Sequence, residues 1–209
     1  MAPSPLTAEE VAARCAISPA DLARLKIYIE LLVKWQQRIN LVSTASLDDV
    51  WGRHVLDSAQ LIDQLPAPVG RLADLGSGAG FPGLVLAILG AGDVHLIESD
   101  ARKCAFLREA SRATAAGAVI HAGRVEQIES LNADIVVARA LAPLDVLLAY
   151  AESHLATNGM CLFLKGKNVE HELTDSAKKW MMRVSRIRSL SDPSGTILKL
   201  EDIRYRSGP

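Results

Sequence analysis

The sequence predicts an α/β protein: N-terminal helices followed by a doubly wound, mostly parallel sheet that ends in an antiparallel C-terminal strand pair. Three observations predict it. Short apolar runs alternate with amphipathic stretches from Arg71 to Lys165. A glycine-rich turn, RLADLGSGAGFPG over 71–83, follows the first of those runs. Near the C-terminus, two alternating stretches flank a cluster of turn residues.

The first elements are helical. Thr7-Ala-Glu-Glu10 and Ser18-Pro19-Ala-Asp21 each place a hydroxyl at a cap position with an acid three residues later, and Leu22, Leu25, Ile29 and Leu32 then recur at helical spacing. Ser46-Leu-Asp-Asp49 opens a further helix whose Trp51, Val55, Ile62 and Leu65 fall near one face, and Pro66-Ala-Pro68 stops it. That break divides the chain into an N-terminal helical extension, 1–68, and a core, 69–209. Beyond it the strands LADLG, DVHLIES, AVIH, DIVVAR and GMCLFLK alternate with helices over 81–90, over 100–116 and after Pro143. Such alternation builds βαβ units and hence a parallel sheet. MMRVSRIRSL and TILKLEDIRY, separated by Ser191-Asp-Pro-Ser-Gly195, suit an antiparallel pair.

Composition narrows the functional classes. A chain of 209 residues with 49% hydrophobic content can bury a core without staples. The three cysteines, Cys15, Cys104 and Cys161, are odd in number, widely spaced and form no C-x-x-C pair, which supports neither a disulfide framework nor a zinc site and fits a reducing compartment best. No run approaches the roughly 18 to 20 apolar residues of a membrane span, and MAPSPLTAEE lacks the regions of a signal peptide. A cytoplasmic location is expected, with no membrane partner and a monomeric state. The net charge of −1 gives no global basic field, so a nucleic acid would have to be met by a local patch. The last third holds Lys165, Lys167, Lys178, Lys179, Arg183, Arg186, Arg188, Lys199, Arg204 and Arg206, either as such a patch or as solvated element ends.

A glycine-rich turn between strand and helix lets a ligand approach the backbone at the carboxyl end of the sheet. Glu98 ends the second strand 22 positions after Gly76, where a carboxylate can accept the hydroxyl hydrogens of an adenosine ribose; an exposed strand-end acid is the alternative. Gly76, Gly78 and Gly80 run G-x-G-x-G rather than the dinucleotide spacing G-x-G-x-x-G, and Asp74 stands just before them. A carboxylate there opposes a pyrophosphate but suits the ammonium and sulfonium of S-adenosyl-L-methionine.

At these residues the chain resembles a known family. The likeness is carried by Asn40-Leu41, Arg53-His54-Val-Leu-Asp57-Ser58, DLGSGAGFPG, Glu98-Ser-Asp-Ala-Arg102-Lys103-Cys-Ala-Phe106-Leu107, Gly123-Arg124-Val125-Glu126, Arg139-Ala140 and Leu164-Lys165-Gly166-Lys167. Together they resemble the RsmG (GidB) small-subunit ribosomal RNA methyltransferases, which modify N7 of one guanine in a decoding-region loop of 16S ribosomal RNA. The resemblance implies a class I S-adenosylmethionine-dependent methyltransferase fold, and 16S ribosomal RNA or the small ribosomal subunit as partner. It places the cofactor at Gly76, Phe81, Val125 with Glu126, and Arg139. The family often has Asp where this chain has Glu98, and Gly-Thr-Gly-Pro-Gly where this turn reads Gly-Ser-Gly-Ala-Gly. Toward the C-terminus the likeness fades.

The residues themselves support these roles while leaving alternatives. Val125 can cover an adenine from the turn after AVIH, whereas Glu126 is either a ligand or an acid favoured by a helix start. Arg139 ends an apolar strand, so its guanidinium must reach a carboxylate, phosphate or base at the crevice, or an ion pair within the fold. Arg53, His54, Asp57 and Ser58 line the mouth of the site, with His54 read as a partly buried structural residue rather than a base. Lys165 and Lys167 project from the carboxyl edge, toward RNA phosphate or into solvent.

Two absences bear on the reaction. The place after the fourth strand reads Arg139-Ala-Leu-Ala-Pro143, unlike the Asn/Asp-Pro-Pro-aromatic stretch of exocyclic-amine methyltransferases. Cytosine C5 methylation needs a thiolate, yet all three cysteines read as core residues. Guanine N7 has a free lone pair and carries no proton, so methyl transfer to it needs neither base nor covalent step. A small-molecule methyltransferase, favoured by the near-neutral charge, and a non-catalytic S-adenosylmethionine-binding regulator remain open readings.

Overall fold

A computed structural model describes residues 4–206. The chain opens on α1 (Ala8–Arg14), where Thr7 and Glu10 form a reciprocal capping box, and α2 (Pro19–Gln36), capped by the Ser18 hydroxyl. The third helix differs from the sequence expectation. It starts earlier, as α3 (Thr44–Leu47) after Ser43, and breaks into a π-helical turn (Trp51–Leu56), α4 (Asp57–Ala59) and a 3-10 turn (Ile62–Gln64). Asp49 takes no part as a helix-opening acid. Its carboxylate instead accepts from the backbone N–H groups of Gly52 at 3.1 Å and Leu6 at 3.0 Å, which ties the break to the N-terminus.

The remainder alternates as expected: β1 (Leu72–Leu75), α5 (Gly83–Ile88), β2 (Val94–Glu98), α6 (Ala101–Ala113), β3 (Val119–Ala122), β4 (Ala133–Arg139), α7 (Leu144–His154) and β5 (Leu155–Lys165). A helix absent from the sequence reading, α8 (Val169–Ser176), precedes the hairpin of β6 (Trp180–Arg188) and β7 (Thr196–Tyr205). The seven strands lie in the order β3-β2-β1-β4-β5-β7-β6, with β7 antiparallel to both β5 and β6 and the other pairs parallel. The chain reverses its direction of travel across the sheet between β1 and β4. A crevice at their carboxyl ends is the expected ligand site of such a fold.

Each face of the sheet carries an apolar layer. On one, Leu25, Tyr28 and Leu32 of α2 pack with Phe81, Leu84 and Phe106, all buried, so the N-terminal helices share their core with the sheet. The aromatic rings follow one another: Trp35 lies 5.9 Å from Phe106, Phe106 lies 6.2 Å from Tyr28, and Tyr28 lies 5.3 Å from Phe81. The buried Tyr28 hydroxyl donates to the carbonyl of Ala79, so α2 holds the glycine turn directly. On the other face, Leu144, Leu147, Leu148 and Ala151 of α7 cover Phe163 and Leu198. Among the described residues, no helix is long and apolar enough to cross a membrane.

Candidate cofactor and substrate site

Every residue of β1 is buried, and its penultimate side chain is the carboxylate of Asp74. Oδ2 accepts from the backbone N–H of Gly83 at 3.0 Å, while Oδ1 is buried without a partner. Burial pushes the carboxyl up to about 7. Gly83 is required by this contact, since an added Cβ would lie 2.6 Å from the Asp74 Cβ. Gly78 is different: its φ is +58°, yet a Cβ would meet nothing closer than the Gly76 carbonyl oxygen at 3.9 Å. Packing does not demand glycine there; the backbone angle and an unobstructed approach do.

Glu98 closes the turn from the neighbouring strand. Oε2 accepts from Gly78 N–H at 2.8 Å and Oε1 from Asp100 N–H at 2.8 Å. Asp100 in turn caps α6 through the N–H groups of Arg102 and Lys103. Each Glu98 oxygen keeps a second lone pair, so the carboxylate can still receive hydroxyl donors. The Gly123 N–H donates to the Glu98 carbonyl at 2.9 Å, which brings the Val125–Gln127 3-10 turn beside the same strand end. Val125 is buried and its carbonyl accepts from Nε2 of the fully buried His154 at 3.0 Å. Glu126 is exposed at the start of that turn, where it receives the Tyr150 hydroxyl at 2.8 Å.

Arg139 lies over the Phe81 ring at 5.1 Å, and its Nη1 donates to Asp57 Oδ2 at 3.2 Å and to the Arg53 carbonyl at 3.1 Å. The internal ion pair is therefore formed. Among the described residues it uses only Nη1, leaving Nε and Nη2 as free donors of the fork.

His54 stacks on the Phe81 ring, 4.8 Å between centroids and 19° between planes. The Ser46 hydroxyl has one hydrogen, given to the Ser43 carbonyl, so the 2.8 Å contact between Ser46 Oγ and His54 Nε2 must be donated by the imidazole. Burial, with the charges of Arg139 and Arg53, pulls its pKa down to about 3. His54 is thus buried and packed on Phe81, and its neutral ring offers no cation to a phosphate.

The two lysines part company as well. Lys165 is not projected outward. Its side chain is 8% exposed, and Nζ pairs with Glu172 of α8 at 2.6 Å and donates to the Ala142 carbonyl at 3.0 Å. Lys167 is exposed, and Arg53 is exposed at the mouth with no carboxylate partner among the described residues. Much of the basic C-terminal third is answered in place: Lys178 by Asp175, Lys179 by Asp145, Arg183 by Glu201 and Asp202, Arg186 by both oxygens of Glu170, and Lys199 by Glu201.

Beside the glycine turn lies a cleft of about 1370 Å³, walled by Arg53 and Asp57, by the loop after β4, and by the turn between β6 and β7. Arg139 and Leu141 line the cleft and also touch the turn, Arg139 over Phe81 and Leu141 over Gly76, where an added Cβ would sit 2.5 Å from its Cδ1. Gln60, Ser189, Ser191 and His154 also hold the site's walls, and none was singled out by the sequence. Ser189 read as part of a strand and Ser191 as a turn residue, but Asp100, one residue before a helical run, carried a cap signal.

Comparison with known proteins follows this geometry. The chain is 54% identical over 202 residues to the ribosomal RNA small subunit methyltransferase G of Paramagnetospirillum magneticum, across 96% of this chain and 98% of that one. It is 53% identical over 199 residues to the protein of the same name from Rhodospirillum centenum, across 95% and 92% of the two chains. Among solved structures, TYW2 of P. horikoshii in complex with MeSAdo superposes with a TM-score of 0.54 at 15% identity, over 73% of this chain and 62% of that one. The T. thermophilus 16S rRNA N2 G1207 methyltransferase, crystallised with AdoMet and guanosine, gives 0.51 at 20% identity over 71% and 39%. These last two share the fold. Residues 21–197 match the profile described as GidB, rRNA small subunit methyltransferase G, and the chain belongs to that family.

Proposed function

We propose that this protein methylates N7 of a single guanine of 16S ribosomal RNA, as free RNA or within the small ribosomal subunit, acting as a monomer in the cytoplasm with S-adenosylmethionine as donor. The observation that carries the reading is the buried, unpartnered Oδ1 of Asp74 beneath a glycine turn whose approach at Gly78 is open. A cation of the donor's methionyl part suits that oxygen, and Glu98 at the end of β2 suits the ribose hydroxyls. When bound, S-adenosylmethionine supplies a methyl carbon on a sulfonium, open to attack by a lone pair.

The protein's own part is to hold and align. Asp74 and the free donors of Arg139 take the charged end, Val125 with the backbone of Glu126 covers the adenine, and Phe81 closes the floor between them. Cys104 and Cys161 are buried with thiols pushed up by desolvation, which argues against a covalent cytosine route. Guanine N7 needs no proton removed, so alignment and exclusion of water supply the rate.

The test uses labelled cofactor and small-subunit RNA from cells lacking the protein. Label enters the RNA, and because a cationic N7-methylguanine has a weakened glycosidic bond, borohydride followed by aniline cuts the strand at one guanine. Label without cleavage overturns the N7 reading; label in a metabolite and none in RNA selects the small-molecule alternative, which the net charge of −1 favours.

A further inference from the structure

Leu190 is 59% exposed, more than any other large hydrophobic side chain among the described residues. A lone exposed leucine is ordinary. Its backbone is not. The Leu190 N–H donates to Gln60 Oε1 at 2.7 Å, and Gln60 is 4% exposed. The residue before it, Ser189, receives Gln60 Nε2 at 3.2 Å and donates its own N–H to the Gly195 carbonyl. The residue after it, Ser191, donates its hydroxyl to Asp57 Oδ1 at 2.6 Å. Three consecutive residues of a surface turn are thus tied to the N-terminal layer, and the apolar side chain between the two serines projects from a fixed base.

The anchor and the location belong together. Asp57, which holds Ser191 by one oxygen, holds Arg139 by the other at 3.2 Å, and Ser189 and Ser191 line the cleft beside the glycine turn. That cleft exceeds the roughly 300–1,000 Å³ of a small-ligand pocket, which leaves room for a nucleotide with its flanking backbone. In stacked RNA, N7 lies in a deep, narrow groove, so the guanine must leave its stack to be methylated, and the gap it leaves favours its return. An apolar side chain held at the cleft rim can fill such a gap, as apolar wedges do between base steps.

We propose that Leu190 is a wedge that enters the RNA stack vacated by the target guanine and keeps that base extruded into the cleft, with Gln60, Asp57 and Ser191 as the mount that fixes it. The inference rests on the RNA reading above and adds a positioning residue to it. A flexible turn would lose the insertion energy to ordering; a mounted one does not. A polar residue at the same place leaves the mount intact and removes only the wedge.

Leu190→Ser and Leu190→Phe are compared with the native protein in three measurements: cofactor affinity by calorimetry, single-turnover methyl transfer to small-subunit RNA, and fluorescence of a 2-aminopurine ligated into that RNA beside the target guanine. Cofactor affinity stays the same in all three proteins. Leu190→Ser slows transfer to the native RNA by about tenfold or more but by less than about twofold to an RNA whose mismatched neighbours already unstack the guanine. Leu190→Phe transfers at close to the native rate. Native protein and Leu190→Phe change the 2-aminopurine signal, and Leu190→Ser does not. Equal slowing on both RNAs, no slowing on either, or a 2-aminopurine signal change in Leu190→Ser as large as the native protein's overturns the wedge alone. A native protein that labels no RNA overturns the underlying reading and the wedge with it.

Discussion

Asp74→Asn separates the stability of this fold from its ligand chemistry. Asp74 is fully buried, one oxygen is held by Gly83 N–H and the other has no partner, and burial raises its pKa from 3.8 to about 7. Because the folded pKa lies above the unfolded one, the folded protein keeps a proton that the unfolded chain loses between these values. The group's contribution to stability is therefore full below pH 3.8 and is lost as pH rises to about 7. At about 1.4 kcal/mol per unit over some three units, the loss approaches about 4 kcal/mol.

Asparagine is neutral throughout and can keep the Gly83 contact. Urea unfolding of both proteins without cofactor, at about pH 4.5 and pH 8, should show the variant gaining on the native protein by roughly 3 kcal/mol across that interval. A cation against Oδ1 would favour the charged carboxylate. Calorimetry near pH 6.5 in buffers of different ionisation enthalpy should then show proton release when cofactor binds the native protein and none with the variant, whose affinity is weaker. A gap between the proteins that does not change with pH would refute the burial argument, and binding without proton release would refute the assignment of the cation to Asp74.

Glu98→Gln should weaken cofactor binding by about 1–3 kcal/mol in calorimetry, the scale of lost hydrogen bonds to a charged group, and unchanged affinity would remove the ribose assignment. Glutamine is the milder substitution because its one oxygen can keep one of the two backbone bonds, whereas alanine would free both the Gly78 and the Asp100 N–H groups. Lys165→Ala should lower stability by about 1–2 kcal/mol, since it removes a buried side chain and leaves the half-buried Glu172 with only the Leu144 N–H, while the salt dependence of RNA binding stays as it is. Lys167→Ala should do the opposite, keeping stability and reducing the salt slope by about one counterion. Reversed results for the two lysines would return Lys165 to the RNA surface.

The parallel core was legible because its central strands β1, β2 and β4 are short, largely buried and bounded by glycine, proline and polar residues, so period and breaks agree. The segment from Ser43 to Gln64 was misread because its apolar spacing is helical while its backbone changes between α, π and 3-10 winding, a choice made by Asp49 bonding to Gly52 and to the distant Leu6. At the site, Asp74, Gly76, Gly78 and Glu98 could be placed from strand ends alone. The fates of Arg139, His54 and Lys165 could not, since each is decided by a partner far along the chain: Asp57 for the first, the Phe81 ring for the second, Glu172 on an unforeseen helix for the third.

The ion pairs of the C-terminal third bear on how such an enzyme moves through a cell. A cell holds messenger, transfer and ribosomal RNA in bulk, and each surface cation free to neutralise a phosphate adds counterion-release affinity for all of it, target or not. Here Lys165, Lys178, Lys179, Arg183, Arg186 and Lys199 already face carboxylates, and the net charge is −1. Loose electrostatic capture by bulk RNA is correspondingly weaker than a surface with those cations unpaired would give. Under the proposed function, the burden of finding one guanine passes to the shape of the RNA around it.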